Sequence, residues 1–343
     1  MKPQHFLPSE CFSGSWGNSM NMKTIALEEH FTIPKYVDAV KHFSFCEHQN
    51  AYMSAIARKQ ADLGDGRLAD MDAGGIDLQV LSLSGILLDK LGPAEATEVV
   101  RDANDIAATA VSANPSRFAA FAALGVKEPG EAANELRRAV NDLGFCGGII
   151  NGTSGGLFLD DPRFAPIFEA AQDLKVPIYL HPAPPPQAVQ DAYYSGLPQG
   201  FGQMLSIAGW GWHVETGLHV LRLIVSGLFD RLPDLQIIIG HMGENLPFSL
   251  ARADSVLSRA THPLARPLSE YFHSNFYVTT SGYFTIPPFQ CALDVVGIDR
   301  LMFSVDYPFS ANSQGTDFLH SLPIGDDDRA KISYSNAERL LKL

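Results

Sequence analysis

The feature that most constrains the fold of this chain is a series of short apolar runs that alternate with helical stretches. Almost every position within a run is apolar, which is typical of parallel strands that are buried on both faces. The sequence therefore predicts eight such strands, namely KTIAL (23–27), DLQVLSL (77–83), FAAFAAL (118–124), FCGGII (145–150), VPIYL (176–180), QIIIG (236–240), FYVTT (276–280) and LMFSV (301–305).

Amphipathic helical patterns lie between these runs, and several of them begin or end at Pro or Gly. Eight strands alternating with helices predict an α/β fold, specifically a (β/α)8 TIM barrel rather than a doubly wound sheet. No GxGxxG motif follows the first strand, which further disfavours a dinucleotide-binding fold. The predicted helices include residues 93–114, 128–143, 162–175 and 214–233.

A chain of 343 residues is long enough for two domains, but barrels of this size often form one. Because no shift in composition divides the chain, we expect a single barrel domain over residues 23–343. Two connections are unusually long, and we interpret residues 31–76 and 181–235 as insertions after strands 1 and 5. Residues 1–22, rich in Ser, Gly and Pro, are expected to form a loosely ordered extension.

The balance of charges limits the possible partners of the protein. The formal net charge is −13, so neither a nucleic acid nor an anionic membrane is an expected partner. No apolar run approaches the length of a membrane span. The cysteines are far apart and form no CxxC motif, which disfavours a disulfide framework and favours a cytoplasmic location. The four cysteines are Cys11, Cys46, Cys146 and Cys291.

Polar residues follow several of the predicted strands at the point where each strand ends. Glu28 and His30 follow strand 1, His181 follows strand 5 and Asp306 follows strand 8. Barrel enzymes place their active sites at this rim, and residues two apart on a strand point the same way. One imidazole and one carboxylate from strand 1, with His181 and Asp306 opposite, predict a site for one divalent ion, Zn²⁺ or Mn²⁺. The alternative for the first pair is a capping Glu and a core His.

A second pair, His241 and Glu244, lies just beyond strand 6 in GHMGENLP. Three residues apart, the carboxylate can orient the imidazole and raise its basicity, so we predict a catalytic dyad. The alternative is a Glu stabilised by the dipole at a helix N-terminus. Asp306, in FSVDYPF, is predicted to act as both metal ligand and proton carrier, with a turn Asp as the alternative.

Three further residues are weaker candidates. Arg252 is a plausible substrate-binding residue because Arg pairs with carboxylates through two hydrogen bonds, although a solvated helix residue is an equally good interpretation. His213 and His219 are six apart in a helical segment and therefore do not share a helix face well. The segment LSLSG lacks the GxSxG elbow of serine hydrolases, which disfavours that class.

At these residues the sequence resembles the metal-dependent aromatic-acid decarboxylases of the amidohydrolase superfamily, which include the γ-resorcylate, 2,3-dihydroxybenzoate and 5-carboxyvanillate decarboxylases and the aminocarboxymuconate semialdehyde decarboxylase branch. The resemblance covers about residues 23–343 in the same order and is specific in combination. It implies metal ligands at Glu28, His30, His181 and Asp306 and a catalytic dyad at His241 and Glu244. The segments that carry it are ALEEHF, NDLGFCGGIING, VPIYLHP, LRLIVSGLFDRLPDLQIIIGHMGENLPF and FSVDYPF.

The resemblance implies a carboxy-lyase that converts a hydroxylated aromatic carboxylic acid to a phenol and CO2 without oxidation. Asp306 would protonate the ring carbon that carries the carboxylate, and His241 would accept the hydroxyl proton or orient the oxyanion. It also implies a small aromatic carboxylate as substrate and a homodimer or homotetramer. Two alternatives stay open, namely a metal-dependent hydrolase of an amide or lactone on the same barrel and a non-catalytic barrel with a structural metal.

Overall fold

A computed structural model of the chain describes residues 22–43, 51–198, 200–261 and 264–343. Within each of its sheets, neighbouring strands pair in parallel. Two ladders form, β1-β2-β3 and β4-β5-β6-β7-β8-β9, so the strands keep the order of the chain. The strands in these residues are β1 (Ile25–Phe31), β2 (Leu78–Leu83), β3 (Phe118–Ala120), β4 (Ala122–Ala123), β5 (Gly148–Asn151), β6 (Ile178–His181), β7 (Ile237–Ile239), β8 (Phe276–Thr279) and β9 (Leu301–Met302).

The predicted strand 118–124 is divided into β3 and β4 at Phe121. The Phe121 N–H donates to the carbonyl of Leu81, and the Ala122 N–H donates to the carbonyl of Gly147. The backbone of this segment therefore changes its hydrogen-bond partner from the β2 side to the β5 side within one residue. Because the segment is bonded to both β2 and β5, the order of strands around the barrel is not interrupted.

The chain after the last strand, β9, pairs with the first strand, β1. A parallel bridge pairs Leu27 with Ser304, and the Leu27 N–H donates to the Phe303 carbonyl at 3.3 Å. Further along, the His30 N–H donates to the Tyr307 carbonyl at 2.7 Å. These contacts place β1 beside the segment that follows β9. The predicted (β/α)8 barrel is thereby confirmed, with eight positions around the circle.

Helices separate the strands and also fill the two long connections. α1 to α3 follow β1, and α7 to α10 follow β6, where the insertions are predicted. The helices in the described residues are α1 (Pro34–Val40), α2 (Ala51–Ala61), α3 (Asp65–Gly74), α4 (Pro93–Ala113), α5 (Pro129–Asp142), α6 (Ala165–Leu174), α7 (Gln187–Tyr193), α8 (Phe201–Ser206), α9 (Gly211–Val225), α10 (Leu228–Arg231), α11 (His241–Glu244), α12 (Leu246–Leu257), α13 (Leu268–Asn275), α14 (Ile286–Val296), α15 (Asn312–Ser321), α16 (Asp326–Ala330) and α17 (Asn336–Leu341).

One predicted helix differs from the structure. The pattern over residues 214–233 predicts a single helix, but α9 ends at Val225 and α10 begins at Leu228. Gly227 between them has a φ of 71°, a left-handed conformation that ends an α-helix and that glycine adopts without a steric penalty.

Apolar side chains fill both sides of the strands. Alternate residues of β1 belong to different clusters, with Ile25 and Leu27 in one and Ala26 in the other. The first cluster collects residues from all around the barrel, including Ile238 and Met302, and so fills its interior. The second is larger and packs the strands against the surrounding helices. The barrel thus holds its rim residues on a closed, densely packed base.

Two predictions concern the limits of the domain. Residues 1–21, the greater part of the predicted loosely ordered extension, lie outside the described residues. The assignment of residues 23–343 to one domain stays a prediction.

None of the helices in the described ranges combines the length and the apolar character needed to cross a membrane.

Candidate functional site

The structure brings the four predicted metal ligands together at the carboxyl ends of the strands. Oε1 of Glu28 lies 3.2 Å from Nε2 of His181 and 4.0 Å from Nε2 of His30. Nε2 of His30 lies 3.2 Å from Oδ1 of Asp306. Glu28 and the two histidines are buried, and one possible ligand atom from each lies within 4.8 Å of the others. Two carboxylates and two imidazoles therefore face one small volume.

Backbone irregularities place the two carboxylates. Glu28 has a φ of 64°, and the pairing register of β1 with β2 shifts between Ala26 and Glu29, as at a β-bulge. Asp306 has a φ of 68°. A left-handed conformation is unfavourable for a residue with a Cβ atom, and buried residues held in it cluster at functional sites. These two residues therefore point into the cluster at a cost in backbone energy.

The environment of Glu28 tests whether the site fits a metal ion. Oε2 contacts the hydroxyls of Tyr179 and Ser281, and the Tyr179 hydroxyl also lies 2.9 Å from Oγ1 of Thr279. Oε1 is buried and has no hydrogen-bond partner among the described residues. A buried, unpaired carboxylate oxygen is costly unless another group satisfies it. Mixed carboxylate and imidazole ligands around it suit Zn²⁺ or Mn²⁺, so the residues fit the predicted ion.

The Nδ1 atoms of the two candidate ligand histidines, which lie on the side of each ring away from the cluster, also have hydrogen-bond partners. Nδ1 of His181 donates to the carbonyl of Pro182 at 2.7 Å, and Nδ1 of His30 lies 3.2 Å from the hydroxyl of Ser82. Because the Pro182 carbonyl can only accept, His181 carries a hydrogen on Nδ1, and its Nε2 atom faces the cluster. Such outer contacts orient a metal-binding imidazole.

The charges of the cluster favour ionised carboxylates. Burial raises the pKa of Glu28, but the nearby imidazoles of His241, His181 and His30 outweigh it and hold the pKa well below its usual range. Burial likewise raises the pKa of Asp306, and the nearby imidazoles of His241 and His30 bring it below its ordinary value. The site therefore presents negative charge to an approaching cation.

The predicted dyad is formed. Nδ1 of His241 lies 2.7 Å from Oε1 of Glu244. Nε2 of His241 faces the cluster, 3.6 Å from Oε1 of Glu28 and 3.8 Å from Oδ2 of Asp306. Burial lowers the pKa of His241, but the charges of Glu244 and Glu28 raise it well above its ordinary value. Glu244 precedes α12 and directs its carboxylate at imidazole groups, which favours the dyad over an interaction with the helix dipole.

His213, which the sequence analysis ranks low, belongs to this site. Its Nδ1 lies 2.6 Å from Oε2 of Glu244, and its ring is 5.0 Å from that of His241. Spacing along one helix could not reveal it, because its partner lies on a different element. A glycine one turn later, Gly217, is a sign in the sequence that this face of the helix can approach another backbone closely.

Arg252 is not joined to the cluster. It lies exposed on α12, and no hydrogen bond or ion pair within the described ranges connects it to the other site residues. Its role in binding a substrate stays a prediction.

Aromatic rings are closer to the ligands. The ring of Phe309 is 5.8 Å from that of His30, and the ring of Trp212 is 6.5 Å from that of His181.

Comparison with known proteins places this site in a family. The family model described as Amidohydrolase matches residues 30–343. Gamma-resorcylate decarboxylase from Rhizobium sp. (strain MTP-10005) is 39% identical over 331 residues, which cover 93% of this chain and 98% of that protein.

Two solved structures are similar over nearly the whole chain. A 2,6-dihydroxybenzoate decarboxylase complexed with 2,6-dihydroxybenzoate has a TM-score of 0.85 and 38% identity, covering 94% of this chain and 99% of that one. A dihydroxybenzoic acid decarboxylase from Polaromonas sp. JS666, with bound manganese and 2-nitroresorcinol, has a TM-score of 0.86 and 36% identity, covering 94% and 97%. With its barrel, its rim of carboxylates and imidazoles and these matches, the chain belongs to the amidohydrolase family.

Proposed function

We propose that the protein is a carboxy-lyase that converts a hydroxylated aromatic carboxylic acid to a phenol and CO2 without oxidation. The observation that carries the proposal is the convergence of Glu28, His30, His181 and Asp306 around an unpaired carboxylate oxygen, with the His241–Glu244 pair beside them. Similarity to gamma-resorcylate decarboxylases over 93% of the chain supports it.

Glu28, His30, His181 and Asp306 would hold one divalent ion, Mn²⁺ or Zn²⁺. Manganese is bound in the similar dihydroxybenzoic acid decarboxylase from Polaromonas, which supports the assignment of a divalent ion. When bound, the ion supplies the local positive charge that an anionic substrate needs in a protein of net charge −13. The cradle of hydroxyls around Oε2 of Glu28 leaves Oε1 free to face it.

Asp306 is the proposed proton donor. In its protonated form it would give a proton to the ring carbon that bears the carboxylate. The bond from that carbon to the carboxylate then breaks, its electron pair returns to the ring and CO2 leaves. Asp306 is left as a carboxylate, the form that its contacts with His30 and His241 stabilise in the free site. The negative charge of the next bound substrate raises the affinity of Asp306 for a proton, which it takes up from solvent, so each turnover consumes one proton.

His241 is the proposed partner of the ring hydroxyl group. Its Nε2 atom opens towards the cluster while its Nδ1 hydrogen is held by Glu244. Glu244 and Glu28 favour the imidazolium form, which would orient the oxyanion of the substrate. The neutral form would accept the hydroxyl proton, with Glu244 stabilising the imidazolium that results, and would return this proton to the phenolate oxygen as the phenol leaves. Arg252 is proposed to bind the substrate carboxylate, and the rings of Phe309 and Trp212 provide apolar surfaces beside the ligands for an aromatic ring.

We also propose a cytoplasmic protein that forms a homodimer or homotetramer. Cys146 and Cys291 are free thiols, as expected of a reducing compartment. Large apolar side chains are exposed on the second insertion and on α12, and contact with another copy would remove them from water. They include Tyr193, Phe201, Met204, Trp210 and Phe248. Light scattering of the purified protein would measure the oligomeric state, and a monomer would contradict this assignment.

The test of the function is product analysis. The purified protein is loaded with Mn²⁺ or Zn²⁺ and incubated with a panel of mono- and dihydroxybenzoates, and CO2 and the phenol are quantified together. We expect equal amounts of CO2 and phenol from at least one substrate. Cleavage of amides or lactones in a parallel panel, without release of CO2 from any acid, would contradict the proposal.

A further inference from the structure

The carboxylate of Glu244 is shared equally between two histidines. Oε1 lies 2.7 Å from Nδ1 of His241, and Oε2 lies 2.6 Å from Nδ1 of His213. All three side chains are buried. Because each oxygen faces one imidazole nitrogen at a short distance, rotation of the carboxylate would break both contacts. The orientation of Glu244 therefore depends on His213 as much as on His241.

The far side of the His213 ring is anchored to the backbone. Nε2 lies 3.0 Å from the carbonyl oxygen of Ala208. A carbonyl can only accept, so the hydrogen of this contact is on Nε2. One proton must then lie between Nδ1 of His213 and Oε2 of Glu244, which is the arrangement of a strong, charge-assisted hydrogen bond. The ring is thus fixed at both nitrogens.

The backbone explains why this support is needed. His241 and Glu244 have φ values of 52° and 54°, and the residues between them are also left-handed. Such a turn is unfavourable unless surrounding contacts hold it. α9 packs directly on it, because a Cβ atom on Gly217 would lie only 2.9 Å from the Glu244 carbonyl oxygen. His213 and Gly217 are one helical turn apart and so share the face that meets the turn.

We propose that His213 is a positioning residue for the reaction, which through Glu244 holds the imidazole of His241 with Nε2 towards the reacting group. This inference rests on the proposed function. It assigns a task to the second insertion, since α9 and the Ala208 carbonyl come from that segment. His213 does not contact the four candidate metal ligands through any hydrogen bond or ion pair in the described ranges, so we expect its substitution to leave metal content unchanged.

Two substitutions separate the contacts of His213. His213→Asn keeps an amide nitrogen near the position of Nδ1 and can still donate to Glu244. His213→Gln places its amide near the position of Nε2 and leaves Oε2 of Glu244 without a donor. The matched control is His219→Gln, which replaces another buried histidine of α9 whose Nε2 accepts from the Leu159 N–H, away from Glu244.

We expect His213→Gln to lower kcat by about 10- to 100-fold, by analogy with the loss of outer hydrogen-bond partners of metal ligands, while KM changes by less than about threefold. His213→Asn should recover most of kcat, and His219→Gln should retain it. Metal content should stay the same in all four proteins. In the wild type, nitrogen-15 spectra of the histidine rings should show the hydrogen of His213 on Nε2, with the His213 variants providing the assignment.

Several outcomes would overturn the inference. They are equal kcat values for His213→Gln and the wild type, equal losses in His213→Gln and His213→Asn, a His213 ring without hydrogen on Nε2, or the loss of a metal ion in the His213 variants. The nitrogen-15 spectrum of the wild type decides if His213→Gln does not fold. A wild type that releases no CO2 from any hydroxybenzoate would instead contradict the proposed function.

Discussion

Oε1 of Glu28 lies 3.2 Å from Nε2 of His181, yet no residue in the described ranges donates a hydrogen bond to it. We therefore expect Glu28→Gln to lose its metal, because the amide has less charge and can present a hydrogen-bond donor to the imidazoles. Affinity should fall by more than the roughly 10- to 100-fold typical of losing an outer contact. Metal analysis after dialysis, together with titration of the apoprotein with Mn²⁺, measures the effect.

The control for that prediction is reversible metal removal from the wild type. A chelator should abolish decarboxylation, and added Mn²⁺ or Zn²⁺ should restore it, while Glu28→Gln stays inactive at the same metal concentration. Retention of stoichiometric metal by Glu28→Gln would show that another group satisfies Oε1.

Tyr179 supports Glu28 from inside the barrel. Its hydroxyl contacts Oε2 of Glu28 and lies 2.9 Å from Oγ1 of Thr279. Tyr179→Phe should weaken metal binding by about tenfold, because Oε2 loses one donor and the carboxylate can rotate. Titration with Mn²⁺ measures the change. Tyr277→Phe, a substitution of another buried tyrosine of the barrel interior, should bind metal as the wild type does; equal weakening by both variants would indicate a general packing effect.

Asp306→Asn tests the proton donor. The amide oxygen can still coordinate a metal, but the side chain has no acidic proton to transfer to the ring carbon. We expect turnover to fall by at least about 1,000-fold, on the order of the losses seen when a residue acting directly in a reaction is removed, with metal still bound. CO2 release and metal content of the same preparation are the two measurements. Full activity of this variant would exclude Asp306 as the donor.

His219 predicts a pH dependence of stability. Burial lowers its pKa from 6.5 to about 3. The charge of Asp160 opposes this shift slightly, and the charge of Arg222 adds to it. The unfolded chain binds a proton below pH 6.5 that the folded protein excludes, so the stabilisation is complete above pH 6.5. It is lost as the pH falls towards about 3, by about 1.4 kcal/mol for each pH unit.

His219→Gln removes this titration while an amide oxygen can still accept from the Leu159 N–H. The difference in the free energy of unfolding between wild type and variant should therefore shift by about 2 kcal/mol in favour of the variant between about pH 6.5 and about pH 5. Urea unfolding of both proteins at several pH values measures it. A difference that does not change with pH would mean that His219 titrates normally in the folded protein.

The sequence predicts the barrel well because buried parallel strands have a pattern that hydropathy alone reveals. The details that it misses depend on hydrogen bonding. Nothing in the apolar run 118–124 indicates that its bonds change partner at Phe121. The end of β1 is not predicted either. The apolar run ends at Leu27, whereas β1 continues to Phe31 through polar residues that are buried in the barrel. Hydropathy describes what a residue prefers on average, not which neighbour it pairs with.

For the site, the sequence predicts which residues lie at the strand ends, but it does not predict their backbone conformation. Glu28, His30, His181 and Asp306 are predicted because each follows a strand, and the structure brings them together. The left-handed conformation of Glu28 could not be predicted, because regular alternation assumes an ideal strand. The sequence does not indicate the role of His213 for a different reason. Its relevant neighbour is Glu244, which lies 31 residues away on another element.

The bridge between Leu27 and Ser304 has a consequence for how the site comes into being. Glu28 and His30 leave the ribosome early, whereas Asp306 leaves only after most of the chain has been synthesised. The nascent protein therefore carries an incomplete set of the proposed ligands for nearly the whole of translation. A divalent ion captured before β9 has been made would lack the proposed ligand Asp306, so we expect metal loading at full affinity to follow the early steps of folding.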